Sequence, residues 1–306
     1  MSYPTRSTRS LLSIDDLSNS QVIHLIERAQ QFKKNEIQAI RPAKPLIVGM
    51  VFFEASTRTR FSFEVAAHRL LLHPVVFVVD KATSVDKGES LHETLNTLLA
   101  MRPDLLVVRH AGNIRLEEIM RKSSIPVVNA GSGVEEHPTQ SLLDAMTVQE
   151  RLGQIEGQRI LYVGDVEHSR VAKSGAKLFQ KLGAQVAVCS PKDLAVRDSN
   201  VQQFNTLSEA LKWCTVCIGL RIQKERHSQA TNLSQGQYIE NFRLDNKNLA
   251  ALSSSAIIMH PGPFVPDVDL SDEVLSDSRC AIHEQVTNGV YMRMAIMGDL
   301  LGLSYT

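Results

Sequence analysis

The sequence lacks any continuous apolar run that approaches the roughly 20 residues needed to span a bilayer. Its first residues, Met1–Arg6, also lack the apolar core of a secretory signal. Both absences argue against a protein that is inserted into a membrane or exported through one. We therefore expect a cytoplasmic protein.

The chain also lacks an excess of charge of either sign, because 33 basic residues balance 33 acidic residues. A protein that attracts nucleic acid or a membrane surface through a general field needs such an excess. We expect neither partner. Any bound anion must instead be held by a local arrangement of hydrogen-bond donors.

Cysteine is scarce, and four scattered residues are too few for a disulfide framework. Cys214 and Cys217 have the spacing of a redox pair, but they run into the strand-like segment Val216–Leu220. Buried, small apolar side chains are the favoured interpretation. No Gly-x-Gly-x-x-Gly motif follows a predicted strand, so a dinucleotide site is not supported.

The remaining composition is that of a soluble globular protein, with 43% apolar and 22% charged residues in a chain of 306. That length allows two domains of about 150 residues each. Strand-like runs alternate with helical patterns, which predicts an α/β fold of two doubly wound domains, each a parallel sheet flanked by helices. We place the first domain at residues 1–149, the second at 150–287, and a C-terminal helix at 288–306 that returns to the first domain.

Three local predictions accompany this plan. Pro74–Val79 is predicted to be a second buried strand, Ile114–Lys122 a helix, and Gly131–Gly133 a flexible turn.

The most informative stretch is Phe52–Arg60, which leaves an apolar run and enters a helical pattern near Thr57. Ser56 is placed as the N-cap of that helix. The first turn of a helix offers unpaired N–H groups and partial positive charge, and Ser56, Thr57, Arg58 and Thr59 add further donors. A serine cap followed by solvated arginines is the ordinary alternative, but this density of donors favours a phosphate site.

Other polar residues follow predicted strands, where parallel sheets gather their ligands. Arg109 ends one strand, and His137 and Gln140 begin the helix after another. A lone histidine is usually structural, so His137 carries little weight by itself. Arg170 and Arg221 each stand just beyond a strand end, where either could be a surface residue, but the two together suggest capture of carboxylates.

Five motifs of the chain resemble those of the aspartate carbamoyltransferases, and the resemblance runs through nearly the whole chain. The motifs are Phe53–Glu64, Lys87-Gly88-Glu89, His137-Pro138-Thr139-Gln140, Arg221–Arg226 and His260-Pro261-Gly262-Pro263. The first and third are shared with ornithine carbamoyltransferases, whereas the Arg221–Arg226 segment is typical of the aspartate enzymes. The resemblance therefore implies transfer of a carbamoyl group from carbamoyl phosphate to aspartate, with neither a cofactor nor a metal.

The resemblance also implies roles for individual residues. Ser56, Thr57, Arg58, Thr59 and Arg109 would hold the phosphate. Thr59, Arg109 and His137 would polarise the carbamoyl oxygen, while Gln140 and the backbone at Gly262 and Pro263 would hold the carbamoyl amide. Arg170, Arg221 and Gln223 would bind the carboxylates of aspartate. Ser84 and Lys87 would reach in from a neighbouring subunit, which makes a homotrimer the smallest complete unit.

Further implications concern motion and assembly. Glu54 is expected to pair with Arg170 and Arg226 when both substrates are bound, and Gly262-Pro263 is the candidate for a cis peptide bond. Many relatives carry an arginine after the second proline of the His-Pro-x-Pro turn, whereas this chain continues with Phe264-Val265-Pro266. An ornithine carbamoyltransferase and a non-catalytic scaffold remain the alternatives. Regulatory or other pyrimidine-pathway chains could enlarge the assembly.

Overall fold

The computed structural model describes residues 10–78, 88–112, 116, 123–194, 201–223 and 234–306. These residues form two compact units. One contains the chain up to Leu143 together with Thr287–Thr306, and the other contains Asp144–Val286. The two chain crossings between them fall inside helices.

The first unit contains a four-stranded parallel sheet with strand order β2-β1-β3-β4. The strands are β1 (Ile47–Phe52), β2 (His73–Val78), β3 (Leu105–His110) and β4 (Val127–Ser132). The helices that begin in this unit are α1 (Asn19–Lys33), α2 (Thr57–Arg69), α3 (Leu91–Ala100) and α4 (Pro138–Leu152), preceded by a 3-10 turn at Ile14–Asp16. All six residues of β3 are buried, as expected of a strand covered on both faces.

The second unit contains a five-stranded parallel sheet with strand order β7-β6-β5-β8-β9. The strands are β5 (Arg159–Val163), β6 (Gln185–Cys189), β7 (Gln202–Phe204), β8 (Val216–Gly219) and β9 (Ile257–Met259). The helices are α5 (Arg170–Lys181), α6 (Leu207–Trp213), α7 (Gln235–Phe242), α8 (Asn246–Leu249) and α9 (Ile282–Leu301), with 3-10 turns at Lys192–Leu194 and Asp272–Ser276. Both predicted sheets and the alternation of strand and helix are thereby confirmed.

The C-terminal part of α9 and the residues after it pack in the first unit, as predicted. Thr306 and Gln38 exchange two backbone hydrogen bonds of 3.0 Å. The rings of Tyr305 and Phe32 meet edge to face with centroids 5.2 Å apart, and Lys33 Nζ donates to Asn288 Oδ1 at 2.8 Å. These contacts join α9 and the residues after it to α1 and to the segment after α1.

The prediction that the second strand is buried is wrong, although its position is correct. Among the described residues β2 pairs with β1 alone and forms the edge of the sheet, and Val75, Val76 and Val78 are all exposed in the single chain. An apolar run of strand length does not by itself distinguish a central strand from an edge strand, because both contain the same β-branched residues.

The prediction of a turn at Gly131–Gly133 is wrong in part, because β4 continues through Ser132. The Asn129 side chain accepts a hydrogen bond from the Gly131 N–H at 2.8 Å and donates one to the Leu12 carbonyl at 2.8 Å. Gly131 has a positive φ of 123° and lies where the register between β3 and β4 shifts, and the bond from its N–H to the Asn129 side chain holds it there. The helix predicted at Ile114–Lys122 lies outside the described residues apart from Leu116.

No helix in the described part of the chain is long and apolar enough to cross a membrane. The four cysteines carry free thiols, and Cys189, Cys214 and Cys217 are buried. The interpretation of Cys214 and Cys217 as small core residues is confirmed.

Candidate active site

One end of the first sheet gathers the predicted phosphate ligands. β1 and β3 pair in register, so Phe52 lies beside Arg109, and the Phe53 N–H donates to the Arg109 carbonyl at 2.8 Å. Because the strands are parallel, α2 and α4 begin at the same sheet edge after β1 and β4.

The N-terminus of α2 is arranged as the sequence predicts, with one difference. Ser56 occupies the N-cap position in extended conformation, but its side chain makes no capping hydrogen bond. Thr57 and Arg58 are exposed, whereas Thr59 is buried. The hydroxyl of Ser56 is therefore not used by its own helix, and the first turn presents donors to a ligand.

Arg109 is buried at this edge and is oriented by two acceptors. Its Nη2 lies 3.2 Å from Glu54 Oε1, and its Nη1 donates to the Ala130 carbonyl at 3.3 Å. The ion pair links the segment after β1 with the end of β3. Glu54 thus contacts Arg109 here, and its expected pairing with Arg170 and Arg226 stays a prediction.

His137 and Gln140 lie at the start of α4, and both are buried. The Gln140 N–H donates to the His137 carbonyl at 3.0 Å, so both residues belong to the same first turn. Pro138 is the first helical residue, which suits its fixed backbone angle. The preceding residue, Glu136, accepts a hydrogen bond from Ser13 Oγ at 3.1 Å.

The second sheet has its own cluster at the carboxyl ends of β5 and β8. Asp165 follows β5 and is fully buried. One carboxylate oxygen lies 2.8 Å from His168 Nδ1, and the other accepts the Gln223 N–H at 3.0 Å. Gln223 Nε2 donates to the His168 carbonyl at 3.1 Å. Asp165 therefore fixes two loops, one leading into α5 and one leaving β8.

Those two loops carry the residues predicted to bind aspartate. Arg170 is the first residue of α5 and is buried, while Arg221 is half-buried and donates from Nη1 to the Ile222 carbonyl at 3.1 Å. Asp269 lies near Arg221, and its Oδ2 accepts the Val265 N–H at 2.6 Å. Burial raises the pKa of Asp269 to about 6 despite the opposing effects of that N–H and of the Arg221 guanidinium.

The turn after β9 completes the second cluster. The peptide bond between Gly262 and Pro263 is cis, which confirms the prediction. Ser84, Lys87 and Arg226 lie outside the described residues. Among the described residues no group of three histidine, cysteine, aspartate or glutamate side chains could hold a metal ion.

Sequence reasoning did not assign roles to Asp165 or Asp269. Asp165 carried a usable signal, because it is an acidic residue directly after an apolar strand. Asp269 carried none, since its proximity to Arg221 depends on how the segment after β9 folds back.

The family is identified by two models that match consecutive parts of the chain. Residues 9–150 match "Aspartate/ornithine carbamoyltransferase, carbamoyl-P binding domain", and residues 156–300 match "Aspartate/ornithine carbamoyltransferase, Asp/Orn binding domain". The chain belongs to the aspartate/ornithine carbamoyltransferase family.

Curated relatives within this family carry a more specific name. A protein of Solibacter usitatus is 39% identical over 300 residues, covering 95% of this chain and 99% of its own length. One of Rhodococcus erythropolis is 40% identical over 306 aligned positions, covering 96% of this chain and 97% of its own. Both are named aspartate carbamoyltransferase catalytic subunit.

Solved structures of aspartate transcarbamoylases share the fold. The Trypanosoma cruzi enzyme in complex with carbamoyl aspartate and phosphate has a TM-score of 0.83 and 30% identity, covering 94% of each chain. The catalytic subunit from M. Jannaschii has a TM-score of 0.83 and 27% identity, covering 96% of this chain and 98% of that one.

Proposed function

We propose that this chain is an aspartate carbamoyltransferase, which transfers the carbamoyl group of carbamoyl phosphate to L-aspartate early in pyrimidine biosynthesis. One observation carries the choice of substrates. The Trypanosoma cruzi enzyme has been solved with carbamoyl phosphate and aspartate and also with both products, and it shares the fold over 94% of this chain. The curated relatives at about 40% identity carry the same name.

Carbamoyl phosphate binds at the edge of the first sheet in this proposal. The hydroxyls of Ser56, Thr57 and Thr59, the N–H groups of the first turn of α2, and the guanidinium groups of Arg58 and Arg109 hold the phosphate. Arg109 Nη2 lies 3.2 Å from Glu54 Oε1, so Arg109 has to exchange its contact with Glu54 for one with the ligand. The ligand thus meets a cation that is already oriented.

The carbamoyl group is oriented by donors to its oxygen and by acceptors for its amide. Thr59, Arg109 and His137 donate to its oxygen, while Gln140 and the backbone carbonyls at Gly262 and Pro263 accept from its amide. Donors that are fixed before the reaction stabilise a developing oxyanion without having to reorganise.

Aspartate binds through its two carboxylates to Arg170, Arg221 and Gln223. Gln223 is already held by Asp165 and His168, so one of the three ligands is preorganised. Ornithine has one carboxylate where aspartate has two, so it would leave part of this set of donors without an anion. This contrast favours aspartate as the acceptor.

The reaction requires no covalent intermediate with the protein. The neutral aspartate amine attacks the carbamoyl carbon and forms a C–N bond, giving a tetrahedral oxyanion. Collapse of the oxyanion breaks the bond to the phosphate oxygen, and the departing phosphate takes the proton from the nitrogen. Holding both substrates together removes much of the entropic barrier.

His137 acts as a hydrogen-bond donor in this mechanism and not as the base. We expect His137→Asn to retain most of the turnover, since the asparagine amide can donate from a similar position. The measurement is kcat with both substrates saturating, with His137→Ala as the comparison. Complete loss of turnover in the asparagine variant would instead make His137 the base.

The substrate assignment is tested by phosphate release from carbamoyl phosphate in the presence of aspartate or ornithine. We expect turnover with aspartate and none with ornithine. The reverse result would make the chain an ornithine carbamoyltransferase. Turnover with neither amino acid would favour a non-catalytic scaffold.

The active assembly in this proposal is a cytoplasmic homotrimer in which Ser84 and Lys87 complete the site of a neighbouring subunit, alone or together with regulatory or other pyrimidine-pathway chains. Its support is that β2, with three exposed valines, directly precedes residues 79–87. Exposed apolar side chains on an edge strand are expected at an interface between subunits.

A further inference from the structure

A buried chain of hydrogen bonds connects α4 to the His260–Pro263 turn within the second unit. Gln285, in the first turn of α9, donates from Nε2 to Asp144 Oδ1 at 2.8 Å. Its Oε1 accepts the His260 N–H at 2.8 Å. Asp144 is fully buried, and Gln285 and His260 are 2% and 3% exposed.

The chain of bonds continues through the imidazole of His260. Its Nδ1 accepts the Gly262 N–H at 3.0 Å. The ring packs closely on Gly219, where a Cβ atom would lie 3.0 Å from His260 Cδ2, and it meets the ring of Phe264 with centroids 5.8 Å apart. Two backbone N–H groups of the turn are therefore fixed, one by Gln285 and one by the ring that follows it.

Glutamine suits this position because it needs to donate on one side and accept on the other. A carboxylate at residue 285 could accept the His260 N–H but would face the Asp144 carboxylate. An apolar side chain of similar size would leave both partners without this bond in a buried place. The contacts therefore specify a neutral amide of this length.

We propose that Gln285 and Asp144 are positioning residues, which orient the peptide groups of the His260–Pro263 turn so that its carbonyl oxygens can accept from the carbamoyl amide. This inference rests on the proposed function. It goes beyond it because neither residue touches a substrate in the mechanism above. Asp144 lies on α4, which contains Gln140 and begins directly after His137, so the direct ligands and the anchor of the turn belong to one continuous segment.

The first test exchanges the two polar groups. Gln285→Glu keeps the acceptor for the His260 N–H but places a carboxylate against Asp144. We expect kcat to fall by about tenfold or more, since small displacements of positioning groups cost that much, while inhibition by inorganic phosphate changes less than about twofold. Adding Asp144→Asn restores a donor opposite the introduced carboxylate, and turnover should return to within about threefold of the wild type.

A second variant guards against misfolding of the charged one. Gln285→Asn is neutral but one methylene shorter, so it cannot reach both partners, and we expect the same fall in kcat. Unaltered turnover in both single variants, or a double variant that does not recover turnover, would overturn the proposal. A merely structural role would lower the unfolding midpoint and leave kcat per folded molecule unchanged.

A readout without substrates separates this inference from the proposed function. Amide hydrogen exchange at residues 260–264 should become faster in Gln285→Asn, while exchange in β4 stays as in the wild type. Unchanged exchange at the turn would refute the positioning role whatever the activity. Faster exchange at the turn in Gln285→Asn, combined with a wild-type chain that transfers no carbamoyl group to aspartate, would support the anchoring role and refute the proposed function.

Discussion

At Asp269, burial and neighbouring donors act on one carboxyl group in opposite directions. Burial raises its pKa from 3.8 to about 6, because it outweighs the Val265 and Ile222 N–H groups and the Arg221 guanidinium. Ionisation of this group is therefore easier in the unfolded chain than in the folded one. Its effect on stability has a definite sign.

We expect Asp269 to destabilise the folded chain as pH rises from about 4 to about 6, with a constant cost at higher pH. Asp269→Asn removes this term, so its free energy of unfolding should gain on the wild type across that window, by an amount on the order of 2 kcal/mol after allowance for screening. Urea unfolding of both proteins at several pH values between 4.5 and 7.5 measures the difference in the free energy of unfolding.

Asp267→Asn is the matched control, since Asp267 is exposed two residues earlier. Its stability relative to the wild type should not follow the same trend. A flat difference for Asp269→Asn as well would show that the Asp269 carboxyl titrates normally in the folded protein.

Single residues illustrate what sequence can and cannot predict. Arg109, His137 and Arg170 could be proposed because each stands where an apolar strand or its following loop ends. The contact between Arg109 and Glu54 could not, because it depends on the register that places Phe52 beside Arg109. Register is decided by pairing between segments that are distant in sequence.

Among the elements, α5 lies close to the second sheet because of Gly175. A Cβ atom at this position would clash with the hydroxyl oxygen of Tyr162 on β5 and would stand 3.0 Å from its Cζ. The hydroxyl of Tyr162 is buried and has no hydrogen-bond partner among the described residues. The glycine therefore accommodates a polar atom that the sheet points into the helix.

We expect Gly175→Ala to destabilise the protein, although alanine is favoured over glycine within helices by about 1 kcal/mol. The cost should be smaller in a Tyr162→Phe background, because the nearest atom is then gone. Overpacking of this kind costs roughly 1–3 kcal/mol, measured as the free energy of unfolding in urea. Equal costs in both backgrounds would mean that the added methyl group is opposed by the sheet as a whole and not by the Tyr162 hydroxyl.

The positions of helices and strands could be predicted from the sequence more accurately than their burial and their backbone conformation. The alternation of apolar runs and helical patterns located β2, β8 and the start of α2 to within one residue. It failed for the burial of β2, because the run does not reveal that nothing pairs with its outer edge among the described residues. It failed at Gly131 because the Asn129 side chain accepts the Gly131 N–H and β4 continues through a shift in its register with β3.

The whole molecule is predicted to work only as an assembly with shared sites. The variants Arg58→Ala and Lys87→Ala should each be inactive alone. A mixture of equal amounts of the two should regain activity after the subunits are dissociated and reassociated. In random trimers about a quarter of the sites then receive an intact set from two different chains. Absence of any recovery would show that each chain supplies its own Lys87.

A substitution on β2 provides a second test of the same assembly. Val75→Asp places a charge on an exposed apolar edge, and sedimentation should show smaller species that have lost activity. Ile23→Asp is the matched control, since Ile23 is also exposed but lies on α1. Dissociation by both variants, or by neither, would place the interface elsewhere.

At this scale the fold class and family could be predicted, because local patterns repeat over both sheets and five motifs agree. Subunit contacts could not be derived from the periodicity, since an interface residue and a surface valine have the same pattern. The anchoring of the His260–Pro263 turn by Gln285 and Asp144 was equally invisible, because 141 positions separate the two partners.

The return of residues 287–306 to the first unit sets an order of events during translation. A ribosome delivers every residue of the second unit before it delivers Thr287–Thr306, which complete the first. The nascent chain therefore holds an unfinished apolar surface on its earliest part while its middle part is already whole, and domains tend to fold as they emerge. Chaperones that bind this chain during synthesis should accordingly bind the residues that are made first. They should be released only after residues 287–306 have been made.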